Sequence, residues 1–251
     1  MNKLNQEIKE HLLHQGATIV GFADLADLPA EIRDGYRYGI SIAVALNPEK
    51  VMKIYLGPNM EYYNEYRNVN TLLDKIAESG ADYLKVKGFD SLAKTSSVVV
   101  QDQTTKRTKL PHKTVATKAG IGWIGKCALL VTEDYGPAIR FTAVLTNADL
   151  DVGVPITKSK CGKCEECKKI CPAGAVSGKQ WYPGLNRDDF FRALDCRDKI
   201  TERGKVFGFT EGMCGLCLWS CPWTQKHFKK SGIVPSIARN PSPKDDAAIS
   251  G

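Results

Sequence analysis

Residues 161–172 read CGKCEECKKICP, and residues 214–222 read CGLCLWSCP. The first stretch spaces its cysteines as C-x2-C-x2-C-x3-C-P and the second as C-x2-C-x3-C-P. Together with Cys196 they hold eight of the nine cysteines in the chain. A cubane iron–sulfur cluster needs a thiolate at each of its four irons. Ligands at every third residue let one short loop supply three of them, and the fourth comes from elsewhere. In two-cluster proteins with this run, the cysteine that precedes proline ligates the other cluster. By that rule Cys161, Cys164, Cys167 and Cys221 hold one [4Fe-4S] cluster. Cys171, Cys214, Cys217 and one further thiolate hold the second, and Cys196 is the natural candidate for that place. Such a pair is an electron relay. Paired CxxC sequences also build four-cysteine zinc sites, but a crossed set of eight favours two clusters.

Composition bounds the rest. The chain has 251 residues, 43% hydrophobic and 25% charged, as expected for one large or two small globular domains. No apolar stretch approaches the roughly 20 residues that cross a bilayer, which excludes a membrane span. The opening Met1-Asn2-Lys3 leads into an amphipathic segment without an apolar signal region, so the cysteines are read as reduced thiols in a cytoplasmic chain. The formal charge is +7. Two oxidised cubanes on eight thiolates bring roughly four negative charges and lower the net charge to about +3. Lys158, Lys160, Lys163, Lys168, Lys169, Lys226, Lys229 and Lys230 lie beside the ligands. They balance that charge, and the alternative is a docking surface for an acidic electron donor or for RNA phosphates.

Upstream of the cysteines, helix and strand patterns alternate. Leu4, Ile8 and Leu12 share one face of a helix over residues 3–14, which ends at Gly16. Residues 18–23 read as a strand, and the apolar run 40–46 as a buried strand. Residues 61–87 read as one long helix with Gly88 past its end. A strand over 96–101, a short helix over 111–118, and a hairpin of strands 127–132 and 138–146 complete the pattern. These elements predict an α+β protein. Residues 1–155 form an N-terminal α/β domain with a mixed sheet, and residues 156–232 a mainly helical, ferredoxin-like domain carrying the two [4Fe-4S] clusters. Residues 233–251 are an extended or mobile tail.

The string Gly120-Ile121-Gly122-Trp123-Ile124-Gly125-Lys126 matches G-x-G-x-x-G, but a dinucleotide fingerprint needs a strand before it, a helix after it, and an acidic residue about 20 positions on. Here a helix precedes and a strand follows. The glycines instead let backbone approach a flat ligand or another chain segment closely. Cys127 reads as a small buried hydrophobe, and Trp219 and Trp223 as shields around the last ligands. Of Tyr62, Tyr63 and Tyr66, two are expected in the core. His11 and His14 are expected to face solvent, and His227 has no assigned role.

The segment PHKTVATKAGIGWIGKCALLVTEDYGPAIRFTAVLTNADL (residues 111–150), with SIAVALNPE (residues 41–49), the YNEYRNVNTLL helix and both cysteine runs, resembles the epoxyqueuosine reductase family and, more distantly, the reductive dehalogenases. The resemblance implies a cobalamin held base-off between the α/β domain and the cluster module. Electrons would pass from reduced flavodoxin or ferredoxin through the clusters to cobalt, for deoxygenation of epoxyqueuosine in tRNA. It further implies that Gly120, Gly122, Trp123, Gly125 and Lys126 lie near the corrin. The family's general-acid aspartate stands in a Val-Asp-x-x-Pro context ahead of the glycine loop, whereas this chain has Lys106-Arg107-Thr108-Lys109-Leu110-Pro111-His112-Lys113 there. Asp102, a few residues earlier, and His112 are the candidate proton donors. The chain is shorter than the full-length enzymes and is expected to lack their C-terminal helical repeats. Two other readings stand beside the cobalamin reductase: a non-catalytic two-cluster electron carrier, and a reductase using clusters alone or a flavin.

Overall fold

The computed structural model describes residues 2–96, 98–209 and 212–233, apart from the side chain of Leu56. Except for Ile233, the expected tail lies outside the described residues. In chain order the elements are α1 (Lys3–His14), β1 (Ile19–Asp24), β2 (Tyr38–Ala45), α2 (Pro48–Met52), α3 (Met60–Val86), β3 (Ser91–Ala93), α4 (His112–Lys118), β4 (Trp123–Ile124), β5 (Leu130–Val131), β6 (Ile139–Thr146), α5 (Glu166–Lys169), α6 (Ala193–Val206), α7 (Leu216–Trp219) and α8 (Pro222–Lys230). The described residues of Met1–Ala45, Arg67–Trp123 and Ile139–Thr157 form one compact unit. Those of Leu46–Tyr66, Ile124–Ala138 and Lys158–Gly251 form a second.

The first unit is built on a four-stranded sheet in the order β1-β2-β6-β3. Every neighbouring pair is antiparallel, with Phe22 opposite Ile40 and Ile40 opposite Val144. The expected mixed sheet is therefore corrected to an antiparallel one. Alternating helix and strand suggested parallel crossovers, but β2 returns directly beside β1, and β6 inserts between β2 and β3. β2 is buried along almost its whole length, because helices cover both faces of the sheet. On one face Val115 and Ala119 pack with Ala23, Leu25, Ala143 and Leu145. On the other, Gly80 of α3 lets Leu12 of α1 come close: a Cβ there would stand 2.8 Å from Leu12 Cδ2 and 3.8 Å from Val144 Cγ2. Asn2 caps α1 by accepting a 2.8 Å hydrogen bond from the Asn5 amide.

Two strand expectations are corrected. The run at 98–100 is β-branched, yet β6 takes its edge partner from Ser91–Ala93, and Lys94 continues that pairing through its amide to Ala143 O at 2.8 Å. Val98 and Val100 are left 42% and 82% exposed, and only Gln101 pairs across, with Thr108. Residues 127–132 contribute only Leu130–Val131, which pairs with β4 rather than β6. Ala128 has φ 59°, a left-handed conformation that interrupts an extended run.

The second unit consists of short pieces. α5 and α7 have four residues each, too short to persist alone. Segments from earlier in the chain brace them. Gly215, at φ 83°, lies where a Cβ would meet Ile54 and Tyr62 at 3.1 Å, and Gly136, at φ 57°, lies where a Cβ would stand 2.4 Å from the Thr224 amide nitrogen. Tyr63 stacks on Phe209 with ring centroids 4.7 Å apart. Residues 46–66 and 124–138 thus group with the cysteine runs.

Candidate functional site

All nine cysteines are free thiols; Cys127 is buried and the other eight are half-buried. The first run turns at Gly162, which has φ 53°, and the Cys164 amide closes on Cys161 O at 3.1 Å. After Pro172 the chain doubles back so that the Ala175 amide donates to Cys171 Sγ at 3.4 Å. Cys221 stands at the N-terminus of α8, one residue before Pro222, where proline is suited to the first helical turn.

The thiols fall in two neighbourhoods. Burial pushes Cys221 up to about 12, the Trp223 and Thr224 amides act against that rise, and Cys161 and Cys167 add to it. Burial likewise pushes Cys196 up to about 11, and there the neighbouring sulfurs are Cys171 and Cys214. Cys217 is coupled to Cys214 and Cys196, and also to Cys167. Cys164 lies on the Lys169 side of the first loop, and its carbonyl receives Lys126. Among the described residues no three His, Cys, Asp or Glu side chains converge on a point suited to one metal ion. Thiolates bound to four separate irons stand farther apart than four bound to one ion at about 2.3 Å.

Cys127 lies where these neighbourhoods meet, close to both Cys167 and Cys217. That position was not legible from its place in an apolar run. Trp219 is buried, and its ring lies 6.5 Å from that of Tyr55. Trp223 is half-buried, with Lys226 over its ring. Of the three tyrosines, Tyr62 and Tyr63 are in the core. Four of the flanking lysines are paired with carboxylates: Lys160 with Glu133, Lys168 with Glu165, Lys169 with Glu166 and Lys230 with Asp134. Much of the local positive charge is thereby neutralised without a partner molecule.

The five glycine-loop residues have separate surroundings. Gly120, at φ 73°, makes room for Val154, whose carbonyl oxygen would stand 2.6 Å from an added Cβ. Gly122 is buried and Trp123 is wholly buried. Gly125 donates its amide to Leu129 O at 2.8 Å and lies under Val131. Lys126 is 5% exposed, and its Nζ donates to Cys164 O at 2.8 Å.

The two acid–base candidates differ in setting. Asp102 begins an exposed turn, its carboxylate accepting from the Thr104 and Thr105 amides and from Thr105 Oγ1. Those bonds hold it below the usual carboxylate range, so it stands as a turn-forming anion. His112 opens α4, and its Nδ1 faces Phe141 O at 3.3 Å. That contact assigns the proton to Nδ1. Burial, followed by Lys94 and Arg140, pushes its pKa below the ordinary value, against the Phe141 carbonyl and Asp74. Among the described residues the buried Nε2 has no hydrogen-bond partner. His11, expected to face solvent, instead bonds Ser79 Oγ at 2.8 Å and stacks on Tyr83. His227 lies edge-on to Tyr135.

No helix among the described residues is long and apolar enough to cross a membrane. No family model matches the chain. An epoxyqueuosine reductase of Synechococcus sp. (strain RCC307) is 32% identical over 122 residues, which is 49% of this chain and 37% of the relative. The match therefore spans little more than a third of that relative's length. A solved epoxyqueuosine reductase with an epoxyqueuosine-modified tRNA-Tyr stem loop superposes with a TM-score of 0.58 at 19% identity, covering 96% of this chain and 70% of that one. A reductive dehalogenase whose structure suggested a mechanism for B12-dependent dehalogenation superposes with a TM-score of 0.65 at 17% identity, covering 96% of this chain and 35% of that one. The chain is similar in sequence to epoxyqueuosine reductases, and it shares its fold with them and with reductive dehalogenases.

Proposed function

We propose that the chain is an iron–sulfur oxidoreductase of the epoxyqueuosine reductase type, with two [4Fe-4S] clusters on the crossed sets Cys161, Cys164, Cys167, Cys221 and Cys171, Cys196, Cys214, Cys217. The observation that carries this reading is the placement of the thiols: Cys221 lies near Cys161 and Cys167, and Cys196 near Cys171 and Cys214. Backbone amides directed at Cys171 and Cys221 suit thiolates better than thiols, since a charged acceptor strengthens the bond. The sequence similarity to epoxyqueuosine reductases supports the same class.

A corrinoid is the proposed second cofactor, supplying a low-valent cobalt nucleophile, and the fold shared with a B12-dependent dehalogenase supports it. Removal of an epoxide oxygen as water consumes two electrons and two protons. The clusters would relay the electrons from a reduced flavodoxin or ferredoxin, and the proposed substrate is an epoxyqueuosine-bearing tRNA. His112 is the better placed of the two proton candidates. Its Nε2 has no hydrogen-bond partner among the described residues, which leaves that nitrogen as the one through which a proton would be exchanged. Asp102 is committed to its turn.

A specific observation favours a second reading, a cluster-only electron carrier. Gly120, Trp123 and Lys126 are engaged with Val154, the core and Cys164 respectively. Anaerobic titration of cluster-reconstituted protein with cobalamin separates the two. Binding with a base-off Co(II) EPR signal is the expected result. Two reducible cluster signals without cobalamin binding would leave the carrier.

A further inference from the structure

Lys126 carries an ammonium with three donors in a 5% exposed position. Among the described residues its hydrogen bond goes to a neutral acceptor, Cys164 O at 2.8 Å, and no carboxylate forms an ion pair with it. A buried cation without an anion is disfavoured by its lost hydration. The other buried lysine among the described residues, Lys94, is paired with Asp34. Cys167, one of the thiols of the first neighbourhood, lies within electrostatic reach of the Lys126 ammonium, and the residue that ammonium bonds, Cys164, is another. Its C-terminal neighbour Cys127 touches Cys167 as well, so the segment after Gly125 is laid against the first cysteine loop.

We infer that Lys126 is the built-in counter-charge of the cluster on Cys161, Cys164, Cys167 and Cys221, and that it sets the reduction potential of that cluster apart from the other. The inference rests on the two-cluster reading. Four thiolates on an oxidised cubane leave a net charge of roughly minus two, and reduction adds one electron more. A fixed ammonium beside the loop stabilises the reduced form more than the oxidised form and raises the potential. Lys126 is a positioning and tuning residue in this account and touches no substrate.

The test is an EPR-monitored potentiometric titration of wild type, Lys126→Met and Lys126→Arg, each reconstituted anaerobically. Cys196→Ser identifies the first cluster as the signal that remains. In Lys126→Met the first cluster should be at least about tenfold harder to reduce, 59 mV for a one-electron couple. The second should change by less than about threefold, and Lys126→Arg should stay near wild type. Loss of only the first cluster from Lys126→Met, with both retained in Lys126→Arg, would also support a charge requirement. Unchanged potentials in Lys126→Met, equal shifts of both clusters, or an arginine variant as damaged as the methionine variant would overturn the inference. A wild type that takes up fewer than two clusters would instead sink the two-cluster reading, before any variant is compared.

Discussion

The two compact units hold themselves together by different means. The first has a continuous apolar interior: Ile8, Leu12, Ile40, Ile42, Val115, Val144 and Leu145 are all fully buried, and an antiparallel sheet pairs its backbone. The second has four-residue helices, half-buried thiols and braces borrowed from 46–66 and 124–138. A core of side chains is complete once the chain folds. A set of eight thiols is complete only when something joins them, so the stability of the second unit is tied to its clusters.

The largest effect follows from that contrast. Removing the iron with a chelator under reducing conditions should abolish amide protection across residues 158–233 in hydrogen exchange, while β2 and β6 keep theirs. Equal loss in both units would break the contrast. Gly136→Ala should come next. A non-glycine residue at φ 57° costs about 1–3 kcal/mol, and the added Cβ would overlap the Thr224 amide nitrogen at 2.4 Å. Only movement of the start of α8, where Cys221 sits, relieves that overlap, so iron content should fall. Gly88→Ala, at φ 87° with nothing within 4 Å, should carry the backbone cost alone and keep its iron. Leu145→Ala should destabilise the first unit by about 2–5 kcal/mol with iron per chain unchanged; lost iron would mean that the units are not independent in this respect.

How much of this was legible follows the same divide. α1 and α3 were readable to within a residue because their apolar positions repeat at helical spacing, and β2 because eight residues in a row avoid charge. The two cysteine runs themselves were readable because their spacing is a local property of the sequence. The sheet's direction was not, since periodicity shows which face is buried and not which neighbour a strand takes. Val98-Val99-Val100 looked like a strand, but the edge was already filled by Ser91–Ala93. The discontinuous second unit was hidden for the same reason: nothing near Ile54 or Gly136 signals that Gly215 and Thr224 pack against them. The bond of the Lys126 ammonium to Cys164 O, 38 residues away in sequence, had no local signal either.

The smallest predicted effect sharpens the account of the first unit. His112 has its folded pKa pushed below the ordinary value by burial and by Lys94 and Arg140, with Asp74 and the Phe141 carbonyl opposing. As pH falls below about 6.5 the unfolded chain takes up a proton that folded His112 refuses, so stability declines until the folded pKa is passed. Thermal melting of wild type between roughly pH 7 and pH 5 should show that decline, and His112→Gln should flatten it. Parallel curves would mean that His112 is protonated as readily in the fold as outside it.

The most direct test of the central claim is iron and sulfide counting, with EPR, on anaerobically reconstituted wild type and Cys196→Ala. The crossed assignment predicts about eight irons per chain in wild type and about four in the variant, with one of two cluster signals gone. A variant that keeps the full iron content, or a wild type that binds zinc in place of iron, would contradict it.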